Sequence, residues 1–479
     1  MKSIFNISKK SIRLLCLILA LLVFATLLGC ESDPPAQSDT IEEDVKEFDP
    51  SMIQLSFGAI SDTHLGDKDT EESFRNILSY IQEVNGSTPD LYMVSGDITN
   101  TTAKTEEKTE IRLFKNVFEE TTQESPLLYC LGPSHDVPSG APAENLRMLY
   151  YSTFGSSYYE NDLEPSSMLA KGFRHIKIKD YHFFAIDWSS SVDKKYSQED
   201  LNWLENELKA AAEENKDKPI FISTHVPVVD QLKPIFAKYP QIFCFTGHVH
   251  NSVAREDSIS QDLGFTSVHC GAVAYYRVDG YNRFYKADNP YLNLGNIYDF
   301  AQGLVVQVDA NQNVRITRVD GHNKTTIGNA WDIPTGNITK YTNERKNSAK
   351  NCSFDDSAKI KIEVPNSTSL RISFDAANSG DAGPAQYYMV ELLTPDANGK
   401  YQVLQHAEMS SQQVFYPNDK NIPDYHYSHT FTDINCQSDF AVVVTAWDCW
   451  DSSENALVYT NGTFVYDGLA TGNASVTLN

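Results

Sequence analysis

Residues 53–64 read Ile-Gln-Leu-Ser-Phe-Gly-Ala-Ile-Ser-Asp-Thr-His, an apolar, strand-like run that ends in Asp62-Thr63-His64. A buried strand that delivers a carboxylate and an imidazole into the following loop has the form of a ligand site, because open α/β sheets place ligands at the carboxyl ends of their strands. The form recurs four times. Leu91 to Val94 runs into Gly96-Asp97, Leu127 to Leu131 into Ser134-His135-Asp136, Ile220 to Ile222 into Thr224-His225, and Ile242 to Phe245 into Gly247-His248-Val249-His250. A lone Thr-His is more often structural than ligating, but the place of Thr224-His225 between the third and fifth motifs reverses those odds. Five such loops can meet at one point.

The residue types define the chemistry. Carboxylate and imidazole together hold borderline divalent ions such as Mn, Zn, Fe or Co, and two such ions about 3.5–4 Å apart can clamp a phosphoryl group while activating water. A pair of ions needs one carboxylate between them. Asp97 suits that place, because Gly96 before it lets backbone and ion approach closely.

The five motifs, in this order, resemble those of the calcineurin-like metallophosphoesterases over roughly residues 53 to 340. The resemblance implies an α/β fold, a four-layer sandwich of two mixed sheets flanked by helices, with two divalent ions at the sheets' edge. It also implies roles. Asp62, His64 and His250 would hold one ion, Asp97 would bridge, and His225 with His248 would hold the second. The implied reaction is hydrolysis of a phosphoester, mono- or diester, by a metal-bound hydroxide. His135 would be the general acid and Asp136 would orient it.

The third motif departs from the family pattern. Aligned on His135-Asp136, the family's Gly-Asn becomes Pro133-Ser134, so Ser134 stands where an amide oxygen would ligate the second ion. Three readings remain open: water held by Ser134 fills the place, the second ion binds weakly, or the site is degenerate. The last would make the chain a non-catalytic binding or scaffold protein. Asn100, where purple acid phosphatases carry a metal-bound tyrosine, and His64 in place of glycine argue against that subgroup. Of the remaining histidines, His269 is a candidate outer partner of the site, and His175, His182, His322, His406, His426 and His429 read as surface or packing residues.

At 479 residues the chain exceeds what one core usually serves, so two folded domains are expected. Lys2, Lys9, Lys10 and Arg13 form a basic head before the apolar stretch Leu14 to Leu28, and Leu27-Leu28-Gly29-Cys30 resembles a lipoprotein processing site. The expectation is an extracytoplasmic protein, anchored to a bacterial membrane through lipidated Cys30, with a flexible acidic tether over residues 30–50. Net charge is −25, and removing the four positive charges of residues 1–29 leaves −29. Such a body repels phosphate backbones, so binding to nucleic-acid polymers is disfavoured, while a small phosphoester substrate remains compatible with local metal charge.

Helical spacing appears at Thr70 to Val84 and at Gln198 to Ala212, the latter behind Ser197 as a start signal. The stretch from Tyr275 through Tyr291 is rich in tyrosine and is a candidate substrate lid. Gly303 to Asp309 and Val314 to Val319 read as a closing hairpin. The domain expected over residues 51–340 gives way to a linker at 341–352. From 353 onward seven short alternating runs without helical period predict an all-β sandwich of fibronectin or immunoglobulin-like kind. Cys130, Cys244 and Cys270 read as buried thiols, and one disulfide is expected among Cys352, Cys436 and Cys449.

Overall fold

The computed structural model describes residues 47–67, 69–100, 104–123, 125–137, 143–159, 171–188, 195–277, 296–297, 300–415, 425–451, 453–462 and 475–478. The expected signal, Cys30 and nearly all of the tether lie outside them, as do Tyr281, Phe284, Tyr285 and Tyr291 of the candidate lid. Among the described residues no helix is long and apolar enough to cross a membrane.

The stretch quoted first is β1 (Ile53–Ile60), buried from Leu55 onward. Burial on both faces follows from its place in the sheet: β2 (Leu91–Ser95) lies parallel on one side, and β12 (Gln302–Asp309) lies antiparallel on the other. The sheet continues through β3 (Leu127–Cys130) beyond β2, and through β13 (Asn313–Asp320) with β14 (Thr325–Thr326) and β15 (Trp331–Pro334) beyond β12. The expected hairpin thus exists and joins the sheet beside β1. A second sheet has the order β4 (Phe173–Ile178), β5 (Tyr181–Ile186), β6 (Ile220–Thr224), β7 (Ile242–Thr246), β9 (Thr266–His269), β8 (Ile259–Ser260). In it β5, β6, β7 and β9 run parallel, and β4 and β8 are antiparallel at the edges.

The two sheets face each other across one apolar layer. Phe57 of β1 packs edge-on against Phe183, Phe221 and Phe245 of the second sheet, with ring centroids 5.4, 4.8 and 5.6 Å away. Helices α1 (Thr70–Asn85), α2 (Lys104–Thr122) and α3 (Ala143–Phe154) cover the outer face of the first sheet through Phe74, Ile77, Phe114 and Tyr150. Helix α4 (Gln198–Glu214) covers the second with Leu204 and Leu208, and Ser197 and Asp200 close its first turn as a reciprocal capping box. This is the four-layer arrangement expected, with mixed sheets inside and helices outside. Helices α2 and α3 were not legible as helices from spacing alone.

Beyond Cys352 the described residues form β strands and one four-residue helical turn, Gln412–Phe415. A three-stranded sheet, β16-β17-β20 (Lys361–Asn366, Ser369–Asp375, His426–Thr432), and a five-stranded sheet enclose one core containing Leu370, Phe374, Tyr388, Val390 and Val444. The five-stranded order is β19-β18-β21-β22-β23 (Tyr401–Ser410, Tyr387–Pro395, Ala441–Trp447, Asn455–Thr460, Ser475–Leu478). Each of the seven expected runs is a strand, and Ser475–Leu478 adds an eighth. The segment expected as a linker is fastened to the larger body: Tyr341 N donates to Gln261 Oε1 at 2.8 Å, and Arg345 donates to the carbonyls of Glu256 and Ile259. Cys352, Cys436 and Cys449 are free thiols, not a disulfide pair.

Candidate metal centre

Five loops leave the carboxyl ends of β1, β2, β3, β6 and β7 and converge. Their backbones are bent sharply: Asp62, His64, Asp97, His248 and His250 all have positive φ, at 55°, 41°, 49°, 73° and 51°. Such conformations cost of order 1–3 kcal/mol each and persist where surrounding contacts fix them. Glycines provide the clearance. A Cβ on Gly132 would lie 2.1 Å from Asp97 Oδ1, one on Gly96 would lie 2.5 Å from His225 Nδ1, and one on Gly247 would meet Ser61 Oγ at 1.7 Å.

The loops bring together Asp62, His64, Asp97, His135, His225, His248 and His250. Three groups have ligand atoms mutually within 4.8 Å: Asp62 with His64 and His250, Asp97 with His225 and His248, and His64 with Asp97 and His135. His250 Nε2 lies 3.0 Å from Asp62 Oδ1, His64 Nε2 lies 3.1 Å from His250 Nε2, and His225 Nε2 lies 3.3 Å from Asp97 Oδ2. Asp62 Oδ1, Asp97 Oδ1 and His225 Nε2 are buried without a hydrogen-bond partner among the described residues. Buried polar atoms left in that state are costly unless a ligand satisfies them, so the donor set fits divalent ions.

Outer partners hold the rings in register. His225 Nδ1 donates to the carbonyl of Ser95 at 2.7 Å, and His250 Nδ1 to that of Tyr275 at 3.0 Å. Both bonds direct Nε2 inward. The electrostatics are those of a cation site: burial opposes charge on Asp62 and Asp97, yet the facing histidines hold both pKa values down. Burial likewise opposes charge on His225, but the carboxylates of Asp97 and Asp62 raise its pKa to about 10.

The third loop differs from expectation in detail. Ser134 lies there with φ 73°, and its exposed hydroxyl makes no hydrogen bond among the described residues. His135 is half-buried, and its ring stands edge-on to His64 with centroids 4.4 Å apart. Its Nδ1 donates to the carbonyl of Asn100 at 2.8 Å. Asp136 therefore does not orient that ring directly. Its Oδ1 accepts from Ile98 N, Thr99 N and Tyr150 Oη, and its Oδ2 from Gly132 N, so it ties the second and third loops together. Sequence spacing gave no sign that Asn100 would orient His135, because the orienting atom is a backbone carbonyl.

Two further residues were missed or underread. Tyr275 stacks on His250 with centroids 4.2 Å apart and 26° between planes, forming a wall of the centre. His269 is buried nearby with Nδ1 accepting from Gly271 N and Nε2 without a partner, and burial lowers its pKa to about 4. His175 and His182, read as surface or packing residues, are buried and bonded to each other on the far edge of the second sheet, with half-buried Glu207 and exposed Glu214 as their outer partners.

Residues 55–252 match the family model described as calcineurin-like phosphoesterase. All seven residues of the three clusters fall inside that span. Among solved structures, a purple acid phosphatase from yellow lupin (Lupinus luteus) seeds aligns at 13% identity with a TM-score of 0.41, covering 58% of this chain and 53% of that one. The chain thus spans about half of that protein's length. A structure described as PhoD aligns at 11% identity with a TM-score of 0.33, covering 88% of this chain and 73% of that one. No curated protein matches the chain in sequence.

Proposed function

We propose, from the premise that residues 55–252 form a calcineurin-like phosphoesterase domain, that this hydrolase cleaves a small-molecule phosphoester at a centre for two divalent ions. The observation that carries the proposal is the pair of separate ligand groups, Asp62-His64-His250 and Asp97-His225-His248. His225 Nε2 is 3.3 Å from Asp97 Oδ2 and His64 Nε2 is 3.8 Å from the same oxygen, so Asp97 faces both groups as a bridging carboxylate must. Mn, Zn, Fe or Co suits this nitrogen and oxygen set. When bound, such ions activate water and offset charge on a phosphoryl group.

The chain's own residues supply positioning and proton transfer. Asp97 and Asp62 provide the buried negative charge that selects cations. His135, with Nδ1 committed to the carbonyl of Asn100, presents its other ring nitrogen as the atom that protonates the leaving oxygen. Asp136 keeps the loop of His135 against the loop of Asp97. Ser134 contributes no amide oxygen, and the second ion has only Asp97, His225 and His248 as assigned protein ligands.

The sequence between Lys2 and Cys30 supports an address: export and lipid anchoring, which would hold the enzyme at a bacterial membrane surface. Metal content together with hydrolysis of a phosphoester panel, under Mn, Zn, Fe or Co supplied separately, tests the function. Turnover that follows ion occupancy is expected. Absence of ions from the protein would turn the reading to a binding or scaffold role.

A further inference from the structure

The C-terminal β region reaches the loop that carries His250. The one-turn helix α5 (Gln412–Phe415) carries Val414, fully buried in a cluster with Ala272, Tyr276 and Phe300. The carbonyl of Val414 accepts a 2.5 Å hydrogen bond from Ser252 Oγ, two residues beyond His250. Gln302 Oε1 lies 2.9 Å from the same hydroxyl and also accepts from Val253 N at 2.9 Å. Tyr276, the largest partner of Val414, follows Tyr275, whose ring stacks on His250 and whose carbonyl accepts a hydrogen bond from His250 Nδ1.

Val414, 164 positions after His250, thus touches Ser252 in the loop that carries His250 and Tyr276, the residue next to the ring partner Tyr275. His250 needs that support, because its φ of 51° is unfavourable for a side chain-bearing residue. A loop in such a conformation keeps its shape only where contacts over-determine it. We infer that Val414 is a positioning residue for the metal centre: through Ser252 and the Tyr275-Tyr276 wall, the C-terminal region sets the geometry of the ion site formed by Asp62, His64 and His250. The inference rests on the assignment of that triplet as an ion site.

The test compares two valine truncations in the full-length chain. Val414→Ala removes side-chain packing against Ala272, Tyr276 and Phe300 and leaves the carbonyl bonded to Ser252 in place, while Val458→Ala removes the same atoms from a separate buried cluster of the C-terminal region, with Leu393, Ala441, Val443 and Ala456. Affinity for Mn and Zn is measured by competition with a chelator, and amide exchange is followed over residues 248–254 in metal-free protein. Val414→Ala is expected to weaken the tighter ion about tenfold, the lower end of losses seen on disturbing outer partners, and to speed exchange in that segment. Val458→Ala should change neither. If Val414→Ala does not fold, Ser252→Ala, which removes the hydroxyl bonded to Val414, is expected to give the same local changes. Equal ion affinity in wild type and Val414→Ala, or equal losses in both valine variants, overturns the inference. His250→Ala separates the two levels: if it binds ions like wild type, the site assignment itself falls; if it loses the ion while the Val414 and Ser252 variants keep it, only the positioning role falls.

Discussion

The two halves of the metal centre are built unequally. Around Asp62, His64 and His250 every ligand is buried, the two imidazole nitrogens face each other at 3.1 Å, and Tyr275 walls the group. Around Asp97, His225 and His248, one imidazole is half-buried, and Ser134 leaves its hydroxyl in solvent where an amide oxygen would complete the set. Preorganisation and donor number both govern affinity. On the proposed reading, the more exposed group, next to Ser134, would hold its ion less tightly than the buried one.

The largest disturbance of that comparison is loss of the shared carboxylate. Asp97→Asn is expected to strip both ions and abolish turnover, because the charge that offsets two adjacent cations is gone; metal analysis after gel filtration checks this. His135→Ala should keep both ions and lower turnover by roughly 10²–10⁴, with a smaller loss for substrates whose leaving group is very acidic. Comparing a nitrophenyl ester with an alkyl ester at saturating metal reads that distinction.

A narrower test takes the halves apart. His250→Ala should remove the tighter ion, whereas His248→Ala should remove only the weaker one and leave about one ion per chain. Equal affinity for the ion that remains in each variant would dissolve the distinction between the halves. The smallest expected change is a gain. Ser134→Asn should tighten the weaker ion about tenfold, on the scale by which single partners of a metal site alter affinity. The backbone at 134 already has φ 73°, a conformation asparagine adopts more readily than serine, so the loop should accept the change.

How much of this was legible in the sequence depended on whether the signal was local. Apolar runs such as Ile242 to Phe245 marked where strands end, and the motif after each run marked which side chains stand at the sheet edge, so the six side chains that form the two principal clusters could be named. The bends that bring them together could not be read, since nothing in the identities of Asp62, His64 or His250 announces a positive φ. Asp136 was given the wrong partner for a related reason: its bonds are to backbone amides of Ile98, Thr99 and Gly132, which any sequence would supply. Helices α2 and α3 lacked start signals strong enough to outweigh their polar residues. The contact between Ser252 and Val414 joins residues 162 apart through a hydroxyl and a carbonyl, and no periodicity encodes such a meeting. The β strands beyond residue 353 were read correctly because alternation is local, while their engagement with the larger body was not, because engagement depends on surfaces.

A hydrolase with two ion sites of different strength should show both features in a single titration. A calorimetric titration of metal-free wild type and Ser134→Asn with Mn, followed by turnover at each occupancy, tests this most directly. Two separated binding steps are expected in wild type, with activity that rises with the second, and in Ser134→Asn a tightening confined to that second step. A single step of two equal sites, unchanged by the substitution, or no binding at any concentration, would contradict that reading.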